Sequence, residues 1–302
     1  MDAVLGAARL LQYGCALTLF GVALFQLYGH APGAAPDHAL ARFPHRGLIT
    51  AAVLGALSSL AWLSVTAASF TGDWTALLDV TTGTRIGSVL VLRALLFASL
   101  PVLCLMTGGR LRWMLLAAGS GLATASFAWT GHGAAGTGMA GLVHQGSDVL
   151  HLLAAGAWAG ALVVLCAGVL RGLRTPRAGA AHELTLGLLR FSAAGPAIVA
   201  LLVLTGIINS GFLIGPAHLG DLFDTRYGVV LLVKLGLFAG MLGLAALNRL
   251  RLTPRLRLAL AGNDTRSALV ALRRSLLAET TLALLVLATV AWLGLLVPPM
   301  DS

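Results

Sequence analysis

Charge is what this sequence has least of. Only 10% of its 302 residues are Asp, Glu, Lys or Arg, against about 25% in a typical soluble chain. Together with 58% hydrophobic residues and a mean hydropathy of +0.91, this excludes an ordinary soluble domain and implies an integral membrane protein. Cysteine is almost absent as well. Cys15, Cys104 and Cys166 each sit inside an apolar run without CxxC spacing, so they read as small packing residues rather than a disulfide frame or a zinc site. No G-x-x-x-x-G-K-[ST] loop occurs, so no P-loop nucleotide site is expected. No enzymatic activity is expected. The formal charge of +9 would suggest nucleic acid in a soluble protein. Here it reports arginines gathered on one membrane face, and no nucleic-acid partner is expected.

What remains is long and aliphatic. Runs of about 20 apolar residues cross a bilayer as helices, and the sequence predicts eight: 4–28, 47–70, 86–107, 112–131, 146–170, 191–214, 227–248 and 275–297. They are continuous rather than alternating, which excludes a β-barrel. The expected fold is all-α, with the third and fourth spans as a tight hairpin. The first run is too long, and its start too poor in positive charge, for a signal peptide. Arginines set the orientation. Connections after the odd spans carry Arg42, Arg46, Arg110, Arg112, Arg171, Arg174, Arg177 and Arg190, then a series from Arg249 to Arg274, while the other face has Arg9, Arg85 and Arg226. The positive-inside rule then places both termini in the periplasm of a bacterial inner membrane.

An internal echo divides the chain. Thr84-Arg85-Ile86-Gly87 and Thr225-Arg226-Tyr227-Gly228 each open a span, and each is followed eight residues after the arginine by a cation, Arg93 or Lys234. Two parallel four-helix halves are expected, residues 1–131 and 132–302.

Charges within spans are expensive and demand a reason. For Arg93 and Lys234 two readings stand: snorkelling against helix ends, or lining an aqueous cavity opposite a carboxylate such as Asp148. Glu279 reads as a first-turn residue favoured by the helix dipole, and Asn209 and Asn248 as interhelical hydrogen-bond partners. Gly156-x-x-x-Gly160 and Gly236-x-x-x-Gly240 are small-residue faces of low specificity.

The stretch from Trp129 to Gly160 carries the chemistry. On a helix, His144, Asp148 and His151 share one face, and burying them unpaired costs several kcal/mol each. His132 opens the glycine-rich loop before them, and Met139, five residues ahead of His144, sits in a loop able to fold back. Imidazoles with a thioether and no thiolate suit copper, Cu(I) or Cu(II), better than zinc. Asp148 is either a weak ligand or the acceptor that orients an imidazole. A b-type haem would need a second histidine at matching depth, and His30, His45, His182 and His218 all fall in loops or at span ends. A proton relay through His and Asp is the third class, and it leaves Met139 unexplained.

The runs His151-Leu-Leu-Ala-Ala-Gly-Ala-Trp158-Ala-Gly160, Gly131-His132, Arg190-Phe191-Ser192, Thr205-Gly206-Ile207-Ile208-Asn209, Tyr227 to Lys234 and Ala246-Leu247-Asn248-Arg249 resemble the copper-resistance protein D family. The likeness is strongest over residues 129–297. It implies an eight-span inner-membrane protein that takes copper from a periplasmic carrier of the copper-resistance protein C type and moves it to the cytoplasm. His132, His151 and Trp158 would belong to the family signature, while Met139, His144 and Asp148 follow from spacing. The expectation is copper transport through His132, Met139 and His144 to His151 beside Asp148, with Trp158, Lys234 and Arg93 in support. A haem-binding bundle and a copper sensor or docking protein that transports nothing are the alternatives.

Overall fold

The computed structural model describes residues 2–29, 45–71, 76–106, 109–131, 136–174, 179–215, 220–261 and 264–298. Every regular element among them is helical: α1 (Asp2–Tyr28), α2 (His45–Thr71), α3 (Ala76–Gly83), α4 (Arg85–Leu105), α5 (Gly109–Ala125), α6 (Gly138–Arg174), α7 (Ala180–Leu213), α8 (Arg226–Leu247), α9 (Thr253–Ala261) and α10 (Thr265–Leu293). A 3₁₀ turn (Ser126–Trp129) continues α5, another (Gly220–Leu222) precedes α8, and a π-helical turn (Asn248–Leu252) joins α8 to α9.

Among the described residues seven helices are long and apolar enough to cross a bilayer, so the chain is an all-α membrane protein. The run expected as the fourth span falls outside that set. It divides into α5, of 17 residues, and the 3₁₀ turn. The division has a local cause: Arg93 takes both the hydroxyl and the carbonyl of Ser126, which draws that carbonyl out of the helical ladder. A second difference concerns α6. It starts at Gly138, ahead of the run expected from 146, so Met139 sits in its first turn rather than in a loop. Third, Glu279 lies in the middle of α10, not in a first turn, because the helix extends back to Thr265 through a polar, arginine-bearing segment that hydropathy does not register.

The helices form two groups, α1 with α2, α4 and α5, and α6 with α7, α8 and α10. They meet where α1 crosses α6. A Cβ on Gly21 would lie 1.8 Å from the Gly156 carbonyl oxygen, and one on Gly160 would lie 2.0 Å from the Gly21 carbonyl carbon. Backbone touches backbone there, as membrane helices do when only van der Waals packing draws them together. Gly236, by contrast, faces open space, so the second small-residue face makes no such crossing.

The repeated TR-x-G motif forms the same structure twice. Thr84 and Thr225 are extended N-caps whose hydroxyls accept from Gly87 N (3.0 Å) and Gly228 N (3.1 Å), as capping threonines do. Both glycines are pressed against the segment before the helix: a Cβ would come within 2.1 Å of Val80 O or 2.3 Å of Leu222 O. Each motif thus folds a short segment back over the start of its helix.

Replacing Gly160 with leucine should drive α1 and α6 apart and destabilise the protein by about 3 kcal/mol, the cost of overpacking. Thermal unfolding in detergent should show a clear drop for this variant and none for Gly236→Leu.

Candidate functional site

In the second group α7 packs along α6 and α8 along α10, while α7 and α8 scarcely meet. Between them lies a cavity of about 590 Å³. Its walls are apolar except for His151 and the Trp158 indole on α6, Ser210 on α7 and Lys234 on α8. Lys234 is the chain's one lysine. It sits eight residues into α8, about 12 Å below the helix start. Val203, Ile207 and Leu235 line the cavity yet are exposed on the outer surface, so the gap opens sideways between α7 and α8.

The polar face of α6 meets α7 as an antiparallel ladder. The His144 ring stacks on Phe212 at 4.7 Å, Asn209 donates to Asp148 Oδ1 at 2.9 Å, and His151 Nδ1 lies 2.8 Å from Thr205 Oγ1. Ser147 donates to the Thr205 carbonyl at 3.2 Å. Thr205 bears on the state of His151. With its hydroxyl hydrogen directed to the Leu201 carbonyl at 2.6 Å, its oxygen is free to accept from Nδ1–H. That pairing favours the tautomer whose Nε2 keeps its lone pair, the form that binds metals. Gly206 lies beside the ring, where a Cβ would be 3.7 Å from Cε1. Lys234 is within electrostatic reach of both Asp148 and His151.

Below the cavity Trp158 donates its indole N–H to Glu279 Oε1 at 2.8 Å, and Asn248 donates to Oε2 at 2.8 Å. The first group treats its cation differently. Arg93 is 0% exposed and donates to Ser126 Oγ (2.7 Å), Ser126 O, Gln12 Oε1 and Thr130 Oγ1 (2.9 Å each). It lies over the Phe127 ring at 4.0 Å. The cage is neutral, and Gln12 is braced in turn by Ser59. Arg93 is therefore not among the residues lining the cavity between α7 and α8, and its hydrogen-bond partners among the described residues are all neutral, which corrects the cavity reading for this residue; α2 and α4 pack closely where α7 and α8 stand apart.

Known proteins resemble this chain in sequence. Residues 186–293 match the family model described as Copper resistance protein D, and residues 1–142 match the Copper resistance protein D-like N-terminal domain. A Copper resistance protein D from Pseudomonas syringae pv. tomato is 34% identical over 98% of this chain and 97% of its own length. The chain belongs to the copper resistance protein D family. It is also 29% identical to the inner membrane protein YebZ of Escherichia coli (strain K12), over 68% of this chain and 66% of that one. Over 33% of this chain and 18% of the relative it is 36% identical to the copper transport protein CutJ of Bacillus subtilis (strain 168). No solved structure matches. This member of the family is a multi-pass inner-membrane protein.

The expected site residues divide accordingly. His144, Asp148 and His151 do share one face of α6. Of these, His151 lines the cavity with Lys234 and Trp158, while Asp148 is tied to Asn209 and His144 to Phe212. Met139 is 76% exposed on the first turn of α6, away from them, and His132 lies outside the described residues. Among the described residues no three His, Cys, Asp or Glu side chains come together as a metal cluster. Sequence reasoning missed the orienting role of Thr205, although its place one turn before Asn209 answers the one-turn step from Asp148 to His151 on the facing helix. Nor did it find the Trp158–Glu279–Asn248 network, whose partners are far apart in the chain.

Thr205→Val keeps the shape and removes the acceptor from Nδ1–H. It should cost about 1 kcal/mol, the scale of an interhelical hydrogen bond in a membrane, while Thr205→Ser should be near neutral. Unfolding of the purified variants in detergent measures both.

Proposed function

We propose that this protein binds copper at the outer end of α6 and passes it inward through the cavity of the second helix group. The carrying observation is His151: a histidine with Nδ1 fixed by Thr205 and Nε2 left as a ligand, on the wall of a cavity inside a copper resistance protein D family member. Copper is here the cargo. A transported ion must be held loosely enough to leave, so one well-oriented imidazole suits this role better than a closed cluster. Met139, exposed on the first turn of α6, and His132, seven residues before it in the sequence, receive the ion from a periplasmic carrier of the copper-resistance protein C type. His144 stands between them and His151. Asp148, held by Asn209, acts on the ion through its charge rather than as the group that orients an imidazole, and Lys234 balances that charge while copper is absent. We read the protein as a carrier and not as an enzyme.

The reading places both termini in the periplasm and counts α5 with its 3₁₀ turn as an eighth span. Seventeen helical residues and four 3₁₀ residues reach about 33 Å, enough for a hydrocarbon core of about 30 Å. It also takes residues 1–131 and 132–302 as two parallel halves, supported by the twice-formed TR-x-G cap. The cavity lined by His151 and Lys234 lies in the second half.

His151→Ala should abolish copper-dependent accumulation of copper by cells at an unchanged level of protein in the membrane; unchanged accumulation would overturn the path. The visible spectrum of the purified protein should show no Soret band. Such a band would favour haem, for which the cavity offers His151 as its one histidine among the described residues.

A further inference from the structure

At the far end of the second helix group from Lys234 lies a set of buried oxygens that copper handling leaves unused. Glu279 is 1% exposed, and both its carboxylate oxygens accept hydrogen bonds, from Trp158 and from Asn248. Ionised, that carboxylate offers about four lone-pair sites, of which these two bonds occupy half. No cationic side chain among the described residues pairs with it, and a buried charge without a counterion is among the costliest arrangements a fold can hold.

Three more oxygens, on the π-helical turn, its cap and α10, are buried and without hydrogen-bond partners among the described residues: Asn248 Oδ1, Ser275 Oγ and Thr253 Oγ1. Their residues are 7%, 7% and 2% exposed. Each is positioned by the backbone. Ser275 precedes Glu279 by one turn on the same face of α10. Asn248 and Thr253 begin and close the π-helical turn, with the Thr253 N–H bonded to the Asn248 carbonyl, and a five-residue step in a π turn brings both side chains to one side. That turn packs against α10. The Asn248 amide donates through Nδ2 to Glu279, and its Oδ1 has no donor to accept from among the described residues. Buried acceptors in such number call for a bound species.

We propose that Glu279, Asn248, Ser275 and Thr253 form a binding site for a small, hard monovalent cation, with Na⁺ as the fitting ion. The donors are all oxygen, which selects against soft copper and for hard ions. One carboxylate neutralises one positive charge, so a monovalent ion leaves the buried site uncharged, whereas a divalent ion would not. Water would satisfy the oxygens but brings no charge to hold Glu279 ionised, whereas a bound cation does. Trp158 belongs to both regions, as a wall of the cavity and as a donor to Glu279, so an ion at Glu279 is felt at the cavity floor. The site does not depend on what the cavity carries.

Binding of ²²Na⁺ to the purified full-length protein in detergent, at constant ionic strength with choline replacing sodium, tests this. Saturable binding is expected in the wild type, abolished in Glu279→Gln and weakened by about tenfold in Ser275→Ala, the scale of losing one supporting group at a metal site. His151→Ala should bind Na⁺ as the wild type does, which separates this site from the copper reading. Absence of saturable binding, or binding that survives Glu279→Gln, overturns the proposal. Should Glu279→Gln fail to fold, wild-type affinity in Ser275→Ala counts against it equally.

Discussion

A polar side chain inside a bilayer either finds a partner on another helix or costs several kcal/mol, and the arrangement of this chain follows from how it meets that condition. Asp148 is met by Asn209, His151 by Thr205, Trp158 by Glu279, and Arg93 by Gln12, Ser126 and Thr130. Each bond ties two helices. Because hydrophobic attraction between helices is weak in lipid, these ties and the glycine crossing of α1 on α6 set the register of the whole bundle.

The two helix groups show what one motif becomes in different surroundings. A TR-x-G cap opens α4 and α8 alike, and a cation follows at the same distance. On α4 that cation is an arginine, whose planar fork of donors is filled by neutral acceptors. On α8 it is a lysine facing a cavity within reach of Asp148 and His151. A closed cage holds a charge for structure, whereas an open cavity with a carboxylate nearby leaves a charge that another cation can replace. The family match covers both groups, yet the cavity with its oriented histidine belongs to the second.

Much of this was legible in the sequence, for reasons that can be named. Continuous apolar runs mark membrane helices because length and hydropathy suffice to cross a bilayer. The shared face of His144, Asp148 and His151 follows from helical spacing alone. Asn209 and Asn248 announced themselves as amides in apolar helices. Partner choice was less visible. Nothing in the spacing of Arg93 distinguishes a neutral cage from a cavity wall, since that depends on Ser126 and Gln12 on other helices. Glu279 looked like the start of a helix because α10 begins in arginine-bearing sequence outside the apolar run. Met139 looked mobile because its glycines suggest a loop, whereas α6 continues through them and turns the thioether outward. The orienting role of Thr205 lies in a hydroxyl that must donate backward to its own helix before it can accept from His151.

The central claim is that copper crosses through the cavity beside His151. The most direct test fills that cavity. Gly206 lines it next to the imidazole, and Gly206→Phe would place a ring where the ion must pass while leaving every polar partner in place. Copper flux into sealed proteoliposomes should then fall to the protein-free background, with the protein still folded and inserted. Wild-type flux in this variant would contradict the account and place the path elsewhere.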